Sequence, residues 1–120
     1  MGDFKDLIAY KKAYQLAKDI HLTSNSFPPE EKYSLTDQIR RSSRSVCVNL
    51  AEAYRKRRYK AHFIAKLSDS ESENAETAVW LDFAFDFKYI AKEIFDDFIN
   101  RNSEVGKLLF FMINNPDKFL

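Results

Sequence analysis

From Lys60 to Tyr89 the chain contains neither glycine nor proline, and only two glycines and three prolines punctuate all 120 residues. So few turn-formers cannot supply the tight turns of a sheet built from short strands, so long helices joined by short links are expected. At about 1.5 Å per residue, Lys60–Tyr89 would span roughly 45 Å as a helix. Within it Phe63, Ile64, Leu67, Ala78, Leu81, Phe85 and Tyr89 share one stripe. Leu81 to Tyr89 also alternates apolar and polar residues, the pattern of a half-buried strand. Nothing else in the chain offers that strand a partner, and a lone strand leaves its backbone groups unpaired. Read as helix, the segment carries a second apolar stripe, Trp80, Phe83 and Phe87, roughly opposite the first. Either another helix of the chain or a second subunit covers it, and because exposed aromatic patches mark association, the second subunit is expected.

The stretch Ser34–Lys60 carries six of the chain's seven arginines and the clearest helical period. At about 100° per residue, Leu35, Ile39, Ser43, Val46, Leu50 and Tyr54 make a core face. Gln38, Ser42, Ser45, Asn49 and Glu52 make a short polar strip suited to close helix contact. On the third face Arg40, Arg41, Arg44 and Arg55 surround Val48 and Ala51, which reads as a contact surface. Ser34, with Asp37 three residues on, is expected to cap this helix. Its end is placed near Arg57 to Tyr59, because Arg55-Lys56-Arg57-Arg58 repels itself within a helix.

A first helix is expected from an Asp3 cap to about Thr23, with Leu7, Tyr10, Ala13, Tyr14, Ala17 and Ile20 inward. Pro28-Pro29 ends the following loop, Pro29 opens a single turn through Glu31, and Phe27 plugs the bundle end. A fourth helix, Ala91 to Ile113, turns Ile94, Phe98, Val105, Leu109 and Met112 inward and stops at Asn114-Asn115-Pro116. Asn100 to Ser103 is expected to kink it, and Gly106 to mark a close approach. The fold class that follows is all-α, an up-down-up-down antiparallel four-helix bundle forming one domain over residues 1–120.

Net charge is only +1, but the charges are segregated. Folding the hairpin about Arg58 brings Arg44 level with Ser72, and Arg40 and Arg41 level with Glu76. Salt bridges from these arginines to Asp69, Glu71, Glu73 and Glu76, within or between subunits, are therefore the first expectation for both clusters. The cluster Arg55, Lys56, Arg57, Arg58 and Lys60 has fewer acidic answers. It suits phosphate contact, with Tyr54, Tyr59 and His62 as stacking groups, or else a solvated corner.

The residues point away from catalysis and cofactors. A di-iron bundle needs Glu-x-x-His pairs, whereas Lys18 precedes His21 and Tyr59 precedes His62 at that spacing. There is no glycine-rich phosphate loop, HExxH or nucleophile elbow. Cys47, the single cysteine, excludes an internal disulfide and reads as a small buried hydrophobe in a reducing interior. No small-molecule substrate is indicated. Asp and Lys are mixed throughout Met1 to Ile20, so neither a signal peptide nor a membrane contact is expected, and the cytoplasm is the expected location.

The run Phe27-Pro28, Glu31, Tyr33, Leu35, Gln38-Ile39-Arg40-Arg41, Ser45, Asn49-Leu50-Ala51-Glu52 resembles, in order and spacing, the signature of the bacterial four-helix-bundle proteins encoded in intervening sequences of 23S rRNA genes. That family is similar in turn to the accessory variability protein of diversity-generating retroelements, a pentameric bundle whose basic surface binds nucleic acid and a reverse transcriptase. The resemblance implies a homo-oligomer, a pentamer, with RNA or DNA as a partner. Ala53 stands where the family usually has glycine, which lets the second helix continue, and Asp69-Ser70 replaces a usual Gly-Ser. Two expectations for function remain. One is a nucleic-acid-binding accessory oligomer using Arg55, Lys56, Arg57, Arg58 and Lys60. The other is a protein-binding scaffold in which Arg40, Arg41, Arg44, Val48, Trp80, Phe83 and Phe87 are subunit contacts.

Overall fold

A computed structural model describes residues 2–120. Four helices carry the fold: α1 (Ile8–Ser24), α2 (Leu35–Arg55), α3 (Lys60–Asp86) and α4 (Lys92–Asn114). Each packs against its neighbours in sequence, α1 closes against α4, and among the described residues the Cα atoms of the diagonal pairs stay more than 8 Å apart. Partners run in opposite directions along each pair: Arg41 meets Glu73 and Glu76 while Glu52 meets Lys66, and Lys12 meets Glu104 while Asp19 meets Arg101. The result is an up-down-up-down antiparallel bundle. Its longest dimension, 44 Å, is about the length of α3.

Two apolar cores lie at opposite ends, separated by a polar layer. One core gathers Ala13, Leu50, Phe63, Leu67, Val105 and Leu109; the other gathers Ile20, Phe27, Ile39, Leu81, Ile90 and Phe98. Between them Ser42, Ser70, Asn74, Thr77 and Asn102 are buried. Their polar atoms are paired across helices. Ser42 Oγ and Thr77 Oγ1 are 2.8 Å apart, and Ser70 Oγ donates to the Val46 carbonyl at 2.8 Å. Asn74 Nδ2 donates to the Asn102 carbonyl and Oδ1, and Asn102 Nδ2 donates back to the Asn74 carbonyl, each at 3.0 Å. Asn74 has room because Gly106 faces it. A β-carbon there would stand 2.8 Å from Asn74 Oδ1, so the close approach expected at Gly106 is present.

The buried face of α3 is Phe63, Leu67, Ser70, Asn74, Thr77, Leu81 and Ala84. These alternate four- and three-residue steps, the heptad spacing of a helix in a left-handed bundle. It differs from the apolar stripe read in the sequence, because its middle three members are polar; Ile64, Ala78, Phe85 and Tyr89 are only half-buried.

Several boundaries differ from expectation. Asp3 caps a short 3₁₀ turn, Phe4–Asp6, and Asp6 caps it reciprocally; Leu7 is then extended and α1 begins without a side-chain cap. The buried apolar face of α1 is Ala9, Ala13, Leu16, Ala17 and Ile20, and Tyr14, expected inward, is exposed. Ser34 does not cap α2. Its hydroxyl donates to Glu31 Oε1, and that carboxylate accepts the Leu35 N–H at 3.3 Å, so Glu31 supplies the cap. Pro29–Glu31 forms the single turn expected of it, and Phe27 is buried at the bundle end against Tyr89. Ile94 is exposed, and α4 continues unbroken through Asn100–Ser103, where Asn102 is held by Asn74.

α3 stops at Asp86 without glycine or proline. The Tyr89 N–H bonds the Ala84 carbonyl at 2.8 Å and the Lys88 N–H bonds Phe85 at 2.9 Å, the paired reverse bonds of a Schellman end. Lys88 takes the left-handed conformation this requires, with φ 64°. A lysine β-carbon is disfavoured there by about 1 kcal/mol. Lys88→Gly is expected to raise unfolding stability by about 0.5–1 kcal/mol in urea titration, and an unchanged or lowered midpoint would contradict this account of the helix end.

Candidate nucleic-acid and subunit interfaces

The five basic residues at the α2–α3 bend are brought together there but are differently engaged. Arg57 braces the turn: Nε donates to the Tyr54 carbonyl at 2.8 Å, Nη1 donates to the Phe119 carbonyl at 3.2 Å, and the guanidinium lies 3.6 Å from the Tyr54 ring centroid. Lys60 pairs with Asp117 at 3.0 Å. Arg55 lies 5.7 Å from the Phe4 ring centroid. Arg55, Lys56 and Arg58 are exposed and form no ion pair among the described residues. Arg55, Arg57 and Arg58 line a surface groove of about 670 Å³ together with Tyr54, Asp3 and Leu120. The first turn of α3 begins beside it with no side-chain cap, so its free N–H groups add positive partial charge at the bend. His62 packs against Tyr59, ring centroids 5.4 Å apart.

The arginines of the α2 body are engaged inside the chain. Arg41 bonds Glu73 at 3.1 Å and also bonds Glu76, as the hairpin register implies. Glu76 in turn accepts the Trp80 indole N–H at 3.0 Å. That bond, and then Arg41, hold the Glu76 carboxyl below its ordinary pKa. Arg40 instead turns to the end of α1, donating to Ser24 Oγ at 2.7 Å and Asn25 Oδ1 at 2.9 Å. Arg44 reaches α1 as well, its Nη2 2.8 Å from His21 Nδ1. The four guanidiniums therefore do not ring Val48 and Ala51: Arg40 and Arg44 turn to acceptors at the end of α1, Arg41 to acceptors on α3, and Arg55 lies near the Phe4 ring. Arg44 alone of the four lines the surface around Val48.

That surface is a groove of about 690 Å³ between α1 and α2, with Tyr14, Ala17, Leu22, Cys47, Val48 and Ala51 among its walls. Val48 is 55% exposed. The α1 half of the groove is not legible in the sequence, where Tyr14 falls on the expected core stripe. On α3, Trp80 is half-buried by its bond to Glu76, while Phe83 and Phe87 are 44% and 54% exposed. Trp80, Phe83, Phe87 and Tyr89 contact one another in succession at centroid spacings of 6.0, 5.7 and 5.8 Å, the first two pairs tilted and the last edge-on. Among the described residues no group of three or more His, Cys, Asp or Glu could hold a metal ion, and no helix is long and apolar enough to cross a membrane.

The model of a family described as 23S rRNA-intervening sequence protein matches residues 5–110. A solved structure from Bacteroides thetaiotaomicron VPI-5482, a protein with unknown function from the S23 ribosomal protein family, is similar to this chain with a TM-score of 0.83 at 30% identity, over 92% of this chain and 99% of that one. No curated protein matches the chain.

Cys47 sits at the back of the groove, and burial pushes its thiol up to about 11. At pH 8 only about one molecule in a thousand would then carry the thiolate, the reactive form. Iodoacetamide at pH 8 is expected to label the native chain about 100-fold more slowly than the urea-unfolded chain; equal rates would show that the thiol is open and ordinary.

Proposed function

The chain belongs to the 23S rRNA-intervening sequence protein family, and from that premise we propose that it is a non-catalytic, self-associating accessory protein that holds nucleic-acid phosphates at its α2–α3 bend. The observation that carries the reading is the set of unpaired cations at that bend. Arg55, Lys56 and Arg58 are exposed without an ion pair among the described residues, next to the uncapped start of α3. Guanidiniums beside free helix N–H groups are suited to phosphate oxygens. Tyr59 and His62, both exposed, offer faces on which a base could stack. Arg57 and Lys60 contribute field at the site while remaining tied to Phe119 and Asp117.

Self-association would multiply this weak patch, since several bends presented together bind one polymer far more tightly than one does. The subunit number that the family resemblance suggests is five, and the cytoplasm is the setting we propose. A second reading, a protein scaffold with no nucleic-acid role, is favoured by the exposed Phe83 and Phe87.

Titration of a single-stranded RNA oligonucleotide against salt separates the two. Affinity is expected to fall steeply with salt, and the triple variant Arg55→Ser, Lys56→Ser, Arg58→Ser to flatten the log–log slope by about 2, three phosphate contacts at roughly 0.7 each. Arg57 is left intact because it braces the turn. Binding that is absent or indifferent to salt would leave the scaffold reading.

A further inference from the structure

The chain carries two surfaces that are each incomplete, and each supplies what the other lacks. The groove between α1 and α2 has an apolar floor, in which Val48 and Ala51 are too small to fill the space, and a cationic rim of Lys18 and Arg44. Neither cation has a carboxylate partner among the described residues. Lys18 Nζ stands 5.1 Å from the Tyr14 ring centroid, and Arg44 shares its hydrogen bond with the His21 ring. The outer ridge of α3 is the converse. Val79, Phe83 and Phe87 project at four-residue steps in one line, all about half-exposed. Asp82 and Asp86, each just ahead of a phenylalanine, are exposed and have no ion pair among the described residues.

The two surfaces also agree in length. The ridge from Val79 to Phe87 and the groove wall from Arg44 to Glu52 each cover eight helical steps, about 12 Å. Bulky rings face small side chains, and unpaired carboxylates face unpaired cations. We infer that the α3 ridge of one copy seats in the α1–α2 groove of a second copy, with Phe83 and Phe87 over Val48 and Ala51 and with Asp82 and Asp86 meeting Arg44 and Lys18. This rests on the self-association in the proposed function and names the surfaces that perform it. A nucleic acid in the groove would satisfy the cations but not the apolar floor. A neutral apolar ligand would do the reverse. Because groove and ridge are different parts of the chain, the contact is head-to-tail, and repeated copies close into a ring or continue as a filament.

A head-to-tail contact has a test that a symmetric contact does not. Val48→Asp blocks the groove and leaves the ridge; Phe83→Ser with Phe87→Ser removes the ridge and leaves the groove. All three positions are exposed, so both full-length variants are expected to fold, as circular dichroism would show. In light scattering the wild type is expected at a multiple of 14.1 kDa, each variant alone at the monomer mass, and the mixture as a one-to-one complex that grows no further. Arg44→Asp and Asp86→Arg, expected to behave in the same way, give an independent pair if either first variant is unfolded. Folded variants that stay assembled, that pair with themselves, or that remain monomeric when mixed would overturn the ridge-in-groove contact while leaving self-association standing. A monomeric wild type would overturn self-association and this contact together, whatever the RNA titration shows.

Discussion

The hydrogen bonds between Asn74 and Asn102 fix α3 against α4, and the rest of the structure takes its position from that pair. In the same layer Ser42 meets Thr77 and Ser70 meets the Val46 carbonyl, so α3 is tied to α2 as well. Each such bond contributes about 1 kcal/mol net. Sliding the helices would cost more, because a buried amide without a partner loses about 1–3 kcal/mol. A polar layer between two apolar cores therefore specifies register more strongly than it adds stability, as a single buried Asn does in a coiled coil. Gly106 is part of the same device, since a side chain there would displace Asn74.

From that register the surface follows. With Phe63, Leu67, Ser70, Asn74, Thr77, Leu81 and Ala84 turned inward, Val79, Phe83 and Phe87 have nowhere to go but out. The same alignment sets Arg41 opposite Glu73 and Glu76 and gathers the basic residues at the bend. Because the middle of α3 buries polar residues, part of its apolar content lies on the outside, where the proposed self-association would cover it. Arg40 and Arg44, turned to α1, stitch the α1–α2 pair beside the groove rather than covering it.

Much of this was legible in the residues themselves. The α2 core face through Leu35, Ile39, Ser43, Val46 and Leu50 stands as its period implies, because apolar side chains mark nearly every turn. The bend near Arg57 follows from the self-repulsion of Arg55-Lys56-Arg57-Arg58, and the pairing of Arg41 with Glu76 follows from reflecting the hairpin about that bend. The inward face of α3 was not legible, since Ser70, Asn74 and Thr77 look like solvent-facing residues until a partner helix brings Asn102 and Ser42 to them. Nor was the end of α3, because Lys88 occupies a position that usually reveals itself by glycine. Asp3 caps the short turn before α1 rather than α1 itself, and Glu31 takes the capping role that Ser34 offers in isolation, at distances sequence spacing cannot rank. The destinations of Arg40 and Arg44 depend on where α1 ends in space. Family membership is shown over residues 5–110, whereas what the bend and the groove bind rests on the chemistry of their side chains.

The coupling of Asn74 to Asn102 is the interaction on which the helix register depends most directly. A double-mutant cycle with Asn74→Ala, Asn102→Ala and the double variant, unfolded in urea at matched protein concentration, measures it. Each single change should cost about 2 kcal/mol, and the double little more than either, a coupling of about 1–2 kcal/mol. Losses that add to within about 0.5 kcal/mol would show that the two amides do not act together and that the register is set elsewhere.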